Sequence, residues 1–493
     1  MSTIKQKTIN GMAWTVTERF SLQVVHMLIT IVLARLLEPS EHGLFGMLAI
    51  FISIAQSLLD SGFGSALIQK KDVTQTDSTS VFYFNLIIGV LLAGILSLLA
   101  PLIAKFYEQP LLVPLTRVLS INMVINAFSL VQLSLLRKNM DFKKLFTVSF
   151  IAVIISGICG IFAAYKGMSV WSLVIQALSN SLVQAGLLWI INKWRPTGHF
   201  SSASLKSMFA FGSKLMIAGL IETIYKNIYK TFIGKTYSAA DLGYYDKAFT
   251  IEQAGTVATS QSLGAVFFPA FSPLQDDNRM LKHVYRKTIR LSMFLHIPLM
   301  ITLIAVAEPL FLFLLTEKWA KSIPLFRLLC VVGIFYPFQV QNYNLFRIKG
   351  RSGLLLKVEI FKYVLTTLAI VMTYKSGISY LIFGQIVVAV ISNFLYSHIT
   401  GKWIGYPLIE LFKDLFPFVP VSSIMGAAVY FVGKVNVDSH FLLLIIQVST
   451  AILVYYIINR IFKSPELTEF IAIVTNFSNR FFLIIKGLLC KNH

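Results

Sequence analysis

The chain has 493 residues, of which 56% are hydrophobic and 13% charged, with a formal net charge of +21 and a mean hydropathy of +0.73. A water-soluble fold of that composition could not cover its own surface, so soluble domain classes are excluded. The lysines and arginines lie in short segments between apolar runs rather than along one soluble face, which removes nucleic acid as a partner.

In chain order, Met1–Asn10 is polar, and no small-residue cleavage site follows a short apolar core. The first apolar run is therefore expected to be a retained span rather than a removable signal. Crossing the hydrocarbon core takes about 20 mostly apolar residues. That ruler gives about fourteen spans, with cores near 12–37, 43–67, 80–105, 112–136, 145–165, 169–192, 208–234, 241–270, 288–315, 323–346, 354–375, 378–400, 415–433 and 440–461. Every connection is too short for a folded catalytic domain. Beyond Pro465, Phe470, Ile473 and Phe477 recur at helical spacing with Arg480 and Lys486 after them, the pattern of an interfacial amphipathic tail.

Cationic residues test that count, because short cytoplasmic loops collect Lys and Arg. Twenty-seven of the 43 fall on the side of the N-terminus, eight on the opposite side and eight inside spans. Alternation loop by loop places both termini in the cytoplasm.

An internal repeat lies two hundred residues apart. Pro39-Ser40-Glu41-His42-Gly43-Leu44-Phe45 is matched in register by Ala239-Ala240-Asp241-Leu242-Gly243-Tyr244-Tyr245. Each copy offers a small residue and then an acid for a helix N-terminus, where a negative charge complements the dipole. Each sits at the first turn of a six-span block, which gives lobes over 1–195 and 196–403, an additional helix pair over 404–463 and a tail over 464–493. Two parallel lobes with a path between them suit an alternating-access carrier.

Ionisable side chains inside spans cost about 2.5–3.5 kcal/mol each on insertion scales and so mark candidate sites. In the seventh span Lys214, Glu222, Lys226 and Lys230 are separated by multiples of four and share a face, bordered by Tyr225 and Tyr229. Glu18 and Arg19 occupy span 1, Asp60 span 2, and Asp246, Lys247 and Glu252 span 8. A face with three lysines and one glutamate favours an anionic guest, phosphate above all. Each residue also has a plainer reading. Lys214 can snorkel to the interface, Arg19 can pair with Glu18 or Asp60, and Glu222 can be the intrahelical partner of Lys226 or a coupling site for protons or Na+. Asp246 and Lys247 read as a gate at the outer rim. In span 6, Gln176, Asn180 and Gln184 form a stripe of polar glue between helices, with sugar contacts as the second reading. Gln339, Gln341, Asn342 and Asn344 follow Pro337, as in a broken helix lining a cavity. No phosphate-cradling glycine loop, nucleophile elbow or metal-ligand spacing is present, and Cys159, Cys330 and Cys490 form no pair, so neither an enzyme nor a bound metal is expected.

Four strings are similar to a known family: Glu41-His42-Gly43-Leu44-Phe45, Asp60 through Gln69 (DSGFGSALIQ), Leu242 through Ala248 (LGYYDKA) and Phe268 through Asp277 (FPAFSPLQDD). They resemble the polysaccharide transporter family, Wzx-type flippases of the MATE-like (MOP) superfamily, in its WzxC/TuaB-like branch, and the resemblance runs from the N-terminus to about residue 400. It implies an all-α polytopic membrane protein with two six-helix lobes. It also implies flipping of undecaprenyl-diphosphate-linked oligosaccharide across the bacterial cytoplasmic membrane for exopolysaccharide, O-antigen or capsule synthesis. The same resemblance implies a cationic cavity for the diphosphate, to which Arg19, Lys214, Lys226 and Lys230 are assigned. Asp60, Glu222, Asp246 and Lys247 are assigned to gating or ion coupling by Na+ or protons, and polysaccharide polymerase and export proteins are implied as partners. Lys247 and Pro273 stand where the branch usually has arginine. The alternative within the fold is an ion-coupled antiporter of small cations, for which a net acidic cavity would be expected.

Overall fold

The computed structural model describes residues 21–60, 62–271, 276–435, 437–472 and 475, with side chains except at 210–211 and 258–271. Arg19, Glu18, most of the motif at 268–277 and the tail residues Ile473, Phe477, Arg480 and Lys486 lie outside the described side chains. The described residues are helical and contain no strand. The helices are α1 (Ser21–Leu36), α2 (Pro39–Asp60), α3 (Phe63–Gln69), α4 (Gln75–Tyr107), α5 (Leu112–Lys138), α6 (Phe142–Tyr165), α7 (Trp171–Ile191), α8 (Ser202–Thr236), α9 (Ala239–Phe271), α10 (Asn278–Ala305), α11 (Ala307–Leu315), α12 (Ser322–Gly333), α13 (Tyr336–Ile348), α14 (Ser352–Thr373), α15 (Ile378–Ile404), α16 (Leu408–Leu415), α17 (Phe418–Val432) and α18 (His440–Ile461). Thirteen of the fourteen predicted segments fall on these helices, as does the described part of the first. By length and apolarity ten spans qualify among the described residues, eleven when the bent α8 counts as one. Three segments account for the difference: part of the first lies outside the described residues, α9 carries Asp241, Asp246, Lys247 and Glu252 before a polar stretch, and α14 carries Lys357, Glu359 and Lys362.

Starts are written locally. Thr74 closes a reciprocal capping box with Asp77 at α4, and Asp141, Ser201, Asp277 and Ser439 each accept a backbone N–H of the first turn of α6, α8, α10 and α18. Several predicted spans are two helices. Gly62, in the left-handed region at φ 69°, separates α2 from α3, and α8 bends by 56° between Phe209 and Gly212. These two breaks meet: a Cβ on Gly62 would stand 2.1 Å from the carbonyl oxygen of Gly212.

The chain divides into two compact units, Met1–Lys247 and Ala248–His493. In the first, α4 packs along α5, α6 along α7, and α8 along α2 and α4. Asn180 donates to Ser156 Oγ at 3.2 Å, so the span-6 stripe does join α7 to α6. In the second, Asn342 is fully buried. It accepts from Tyr285 of α10 and Thr400 of α15 and donates to Ser397, so Asn342 holds three helices together, while Gln341 and Asn344 line a small cavity with Leu281, Tyr285, Leu345 and Ile348. Asp414, 5% exposed, accepts from Arg286, Arg290 and Tyr406. Glu466 accepts from Arg290 at 2.6 Å, and Leu467 and Phe470 enter the adjoining apolar cluster. The first turns of the tail are therefore docked on α10 by charge and apolar contact, beyond the interfacial role expected for them.

Candidate functional site

Three of the embedded charges, Lys230, Asp246 and Lys247, converge where α2, α8 and α9 adjoin in the first unit. The 239–245 repeat forms the start of α9 and the 39–45 repeat the start of α2. In each, the acid caps its own helix: Glu41 accepts from the Glu38 N–H at 2.7 Å, and Asp241 accepts from the Ser238 N–H and hydroxyl at 3.2 and 2.7 Å. The two helix starts then cross. A Cβ on Gly43 would stand 1.6 Å from the Ala239 carbonyl oxygen, and one on Gly243 would stand 1.9 Å from that of Pro39. The pairing is reciprocal, since Pro39 corresponds to Ala239 and Gly43 to Gly243. It continues one turn on. Gly46 faces Leu242, while the corresponding pair, Asp246 and His42, lies within electrostatic reach of one another. Two matched helix starts thus touch backbone to backbone, and only glycine permits that approach.

Beside this crossing, Lys230 of α8 is ion-paired with Asp246 of α9, both sides half-buried at 19% and 20% side-chain exposure. Lys247 is 6% exposed and lies within reach of the same carboxylate. A low-dielectric surrounding makes such a cluster costly to leave unpaired, so its members hold α8 and α9 in register. The sequence placed Asp246 and Lys247 together at a rim and assigned Lys230 to an anion. Geometry commits the Lys230 ammonium to Asp246 in this conformation.

Farther along α8 the picture reverses. Lys226 Nζ lies 2.8 Å from Glu222 Oε1, with side chains 71% and 60% exposed. Lys214 is exposed as well and forms no ion pair among the described residues. These groups sit along a helix whose apolar residues Leu215, Ile217 and Ile224 are uncovered too. Charges uncovered by protein within a membrane helix require water beside them, because lipid cannot solvate them. Asp60, at the end of α2, accepts from Gln56 at 3.2 Å, and Gln56 in turn accepts from Asn126 at 2.8 Å, with Arg137 within electrostatic reach. Asp60 therefore belongs to an α2–α5 chain, apart from the α8–α9 cluster.

Sequence reasoning missed the Lys230–Asp246 pair, although its signal was present. The two residues lie seven and eight positions from the two-residue connection Tyr237–Ser238, and antiparallel helices with so short a link bring equidistant positions together. It also passed over His42 and, in the second unit, the pairing of Glu359 with Lys362 at 2.7 Å and with the Tyr396 hydroxyl.

Among known proteins, the family model described as polysaccharide biosynthesis protein matches residues 32–324. The chain is 25% identical over 428 residues to the lipopolysaccharide biosynthesis protein WzxC of Escherichia coli K12, covering 86% of this chain and 83% of that one. It is 24% identical over 419 residues to the teichuronic acid biosynthesis protein TuaB of Bacillus subtilis 168, covering 83% and 85%. Among solved structures it is similar to the lipid II flippase MurJ in an inward closed conformation, with a TM-score of 0.75 at 15% identity over 91% of this chain and 98% of that one. An inward-facing MATE multidrug transporter of the MOP superfamily follows at 0.62 and 16%, over 78% and 95%. At these identities the structures establish the fold alone, an all-α polytopic one.

Proposed function

The chain belongs to the polysaccharide biosynthesis protein family, and from that premise we propose that it flips a lipid-diphosphate-linked oligosaccharide across the bacterial cytoplasmic membrane by alternating access. Relatives named for lipopolysaccharide, teichuronic acid and succinoglycan biosynthesis support the polysaccharide context, and the likeness to a lipid II flippase supports the fold it requires. The observation that carries the reading is the uncovered charged face of α8, where Lys214 and Lys226 outnumber Glu222. That excess suits a diphosphate and opposes the cationic guest of a drug antiporter. Lys226 approaches the phosphate as a point charge at the end of a flexible stem. Lys214 and, from the first span, Arg19 add to the field. Lys230, Asp246 and Lys247 keep α8 on α9 while the path is closed on that side, and Asp60 and Glu222 serve gating or ion coupling. No chemistry on the substrate is involved, and polymerase and export proteins act on the product.

The repeat supports lobes over 1–195 and 196–403, followed by the helix pair 404–463 and the tail 464–493, whereas packing in this structure groups α8 and the start of α9 with the first unit. Both termini face the cytoplasm, as the distribution of Lys and Arg supports. Deletion of the gene in its host tests the reading: lipid-linked repeat units should accumulate on the cytoplasmic leaflet. Unchanged levels and sidedness of those units, with surface polysaccharide intact, would contradict it.

A further inference from the structure

In the second unit, Glu252 of α9 is 2% exposed in the interior of a membrane helix. Its carboxyl accepts from the Thr256 hydroxyl at 2.6 Å and from the Gln253 amide at 3.0 Å. No lysine or arginine among the described residues pairs with it. The groups facing it from the packed helices are few. From α12 come Gly333 and Cys330, the latter fully buried and within electrostatic reach. From α10 come His296 and Met300, both fully buried. His296 Nε2 lies 2.9 Å from the Gly333 carbonyl oxygen, a bond that the neutral ring makes by donating its hydrogen. The approach of α12 is close: a Cβ on Gly333 would stand 2.3 Å from Glu252 Oε1 and 3.2 Å from Thr256 Oγ1.

A carboxylate in this position would be a buried charge with two neutral donors and no cation, which costs several kcal/mol. A neutral carboxyl fits without change of partners. The Thr256 hydroxyl turns about its C–O bond to accept the acid proton instead of donating, and Gln253 continues to donate to the other oxygen. Both protonation states can thus be hydrogen-bonded, but only the neutral one suits a sealed contact against α12. Release of the proton demands that water reach the carboxylate, and therefore that α9 and α12 part at Gly333. Three oxygen or amide groups in one corner make a poor cage for a metal cation, and no cluster of three or more His, Cys, Asp or Glu exists among the described residues.

We propose that Glu252 and Thr256 form a proton-binding site whose loading and release are coupled to closure and opening of the α9–α12 contact, so that a proton gradient drives the transporter. The site itself stands independently of the substrate; the driving role rests on the translocation reading above. One proton is taken from water on one side and given back on the other, with no other bond made or broken.

The test uses the full chain reconstituted in lipid bilayers, read first without substrate. Infrared difference spectra between acid and alkaline buffer should contain a protonated-carboxyl stretch that Glu252→Gln removes. Thr256→Val should shift the band without removing it, since only its hydrogen bond changes. Absence of the band in the wild type, or its survival in Glu252→Gln, would overturn the site. Flipping of a fluorescent lipid-diphosphate oligosaccharide is then followed with and without an imposed pH gradient. Glu252→Gln, which mimics the loaded state, should lose the gradient-driven acceleration entirely while still folding and still carrying the Gly333 contact. Acceleration equal to the wild type, or a response to a Na+ gradient in place of protons, would overturn the coupling. A wild-type spectrum that carries the band in a protein that flips no such lipid would support the site and refute the translocation reading.

Discussion

Replacing Gly43 or Gly243 by alanine puts a methyl group into a contact made on both sides by backbone. The new Cβ atoms would lie 1.6 Å and 1.9 Å from carbonyl oxygens, where ordinary contact begins at about 3.4 Å, so the helix starts must separate by about 1.5–1.8 Å. No flexible side chain can yield instead. Overpacking of this kind costs about 1–3 kcal/mol, a shift of about 5- to 150-fold against the crossed arrangement. Because the contact is reciprocal, the separation forced by one alanine also makes room for the other. The double substitution should therefore cost little more than either single one, a departure from the additivity expected of distant sites. Nitroxide labels at Leu36 and Thr236, both exposed near the crossing, would report the separation by pulsed electron resonance. Each single variant should move population to longer distances, to a similar degree, with export reduced in parallel. A full loss at Gly43 with complete tolerance at Gly243, or strict additivity in the double variant, would refute the reciprocal contact.

Lys226→Gln should abolish most export and Lys226→Arg should retain a substantial part, at normal protein levels. Pairing Lys226→Gln with Glu222→Gln separates the roles: persistent loss supports a direct attraction to diphosphate, whereas recovery would reduce Lys226 to the partner of Glu222. Cysteines in the 137–144, 279–287 and 347–353 connections should react only with membrane-permeant thiol reagents in intact cells, and those near Glu38, Ser238 and Lys318 with impermeant ones; labelling of 279–287 from outside would break the topology. Asp414→Ala should lower the stability of the detergent-solubilised protein by about 1–3 kcal/mol, because Arg286, Arg290 and Tyr406 lose a common acceptor while both arginines keep access to water and Arg290 keeps Glu466, and an unchanged thermal melt would show that the network contributes little.

The helices were legible because the bilayer imposes one length and one composition on every span. Breaks within spans were legible only where a proline marked one. Pro337 announced the break between α12 and α13, whereas apolar residues continue without interruption through Phe209–Gly212, so hydropathy carries no trace of that bend. The repeat at Pro39 and Ala239 was legible as a pattern, yet its meaning was not, since nothing in one copy says that its glycine will meet the other copy's first residue. Among the site residues, spacing by four put Glu222 against Lys226 as it stands in the structure. The same spacing grouped Lys230 with them, whereas the turn at Tyr237–Ser238 gives that lysine to Asp246. Periodicity describes one helix, and charges are shared between helices. Glu252 was visible as an embedded acid, but that no Lys or Arg among the described residues pairs with it could only be seen in the packed helices.

The most direct measurement is translocation by the purified chain alone, in liposomes loaded with a fluorescent lipid-diphosphate-linked oligosaccharide. Its arrival in the opposite leaflet would be read by a membrane-impermeant quencher. The expected result is transfer well above that of protein-free liposomes, which falls on Lys226→Gln and is insensitive to small cationic drugs. Transfer no faster than in protein-free liposomes, or efflux of a cationic drug in its place, would contradict the flippase reading.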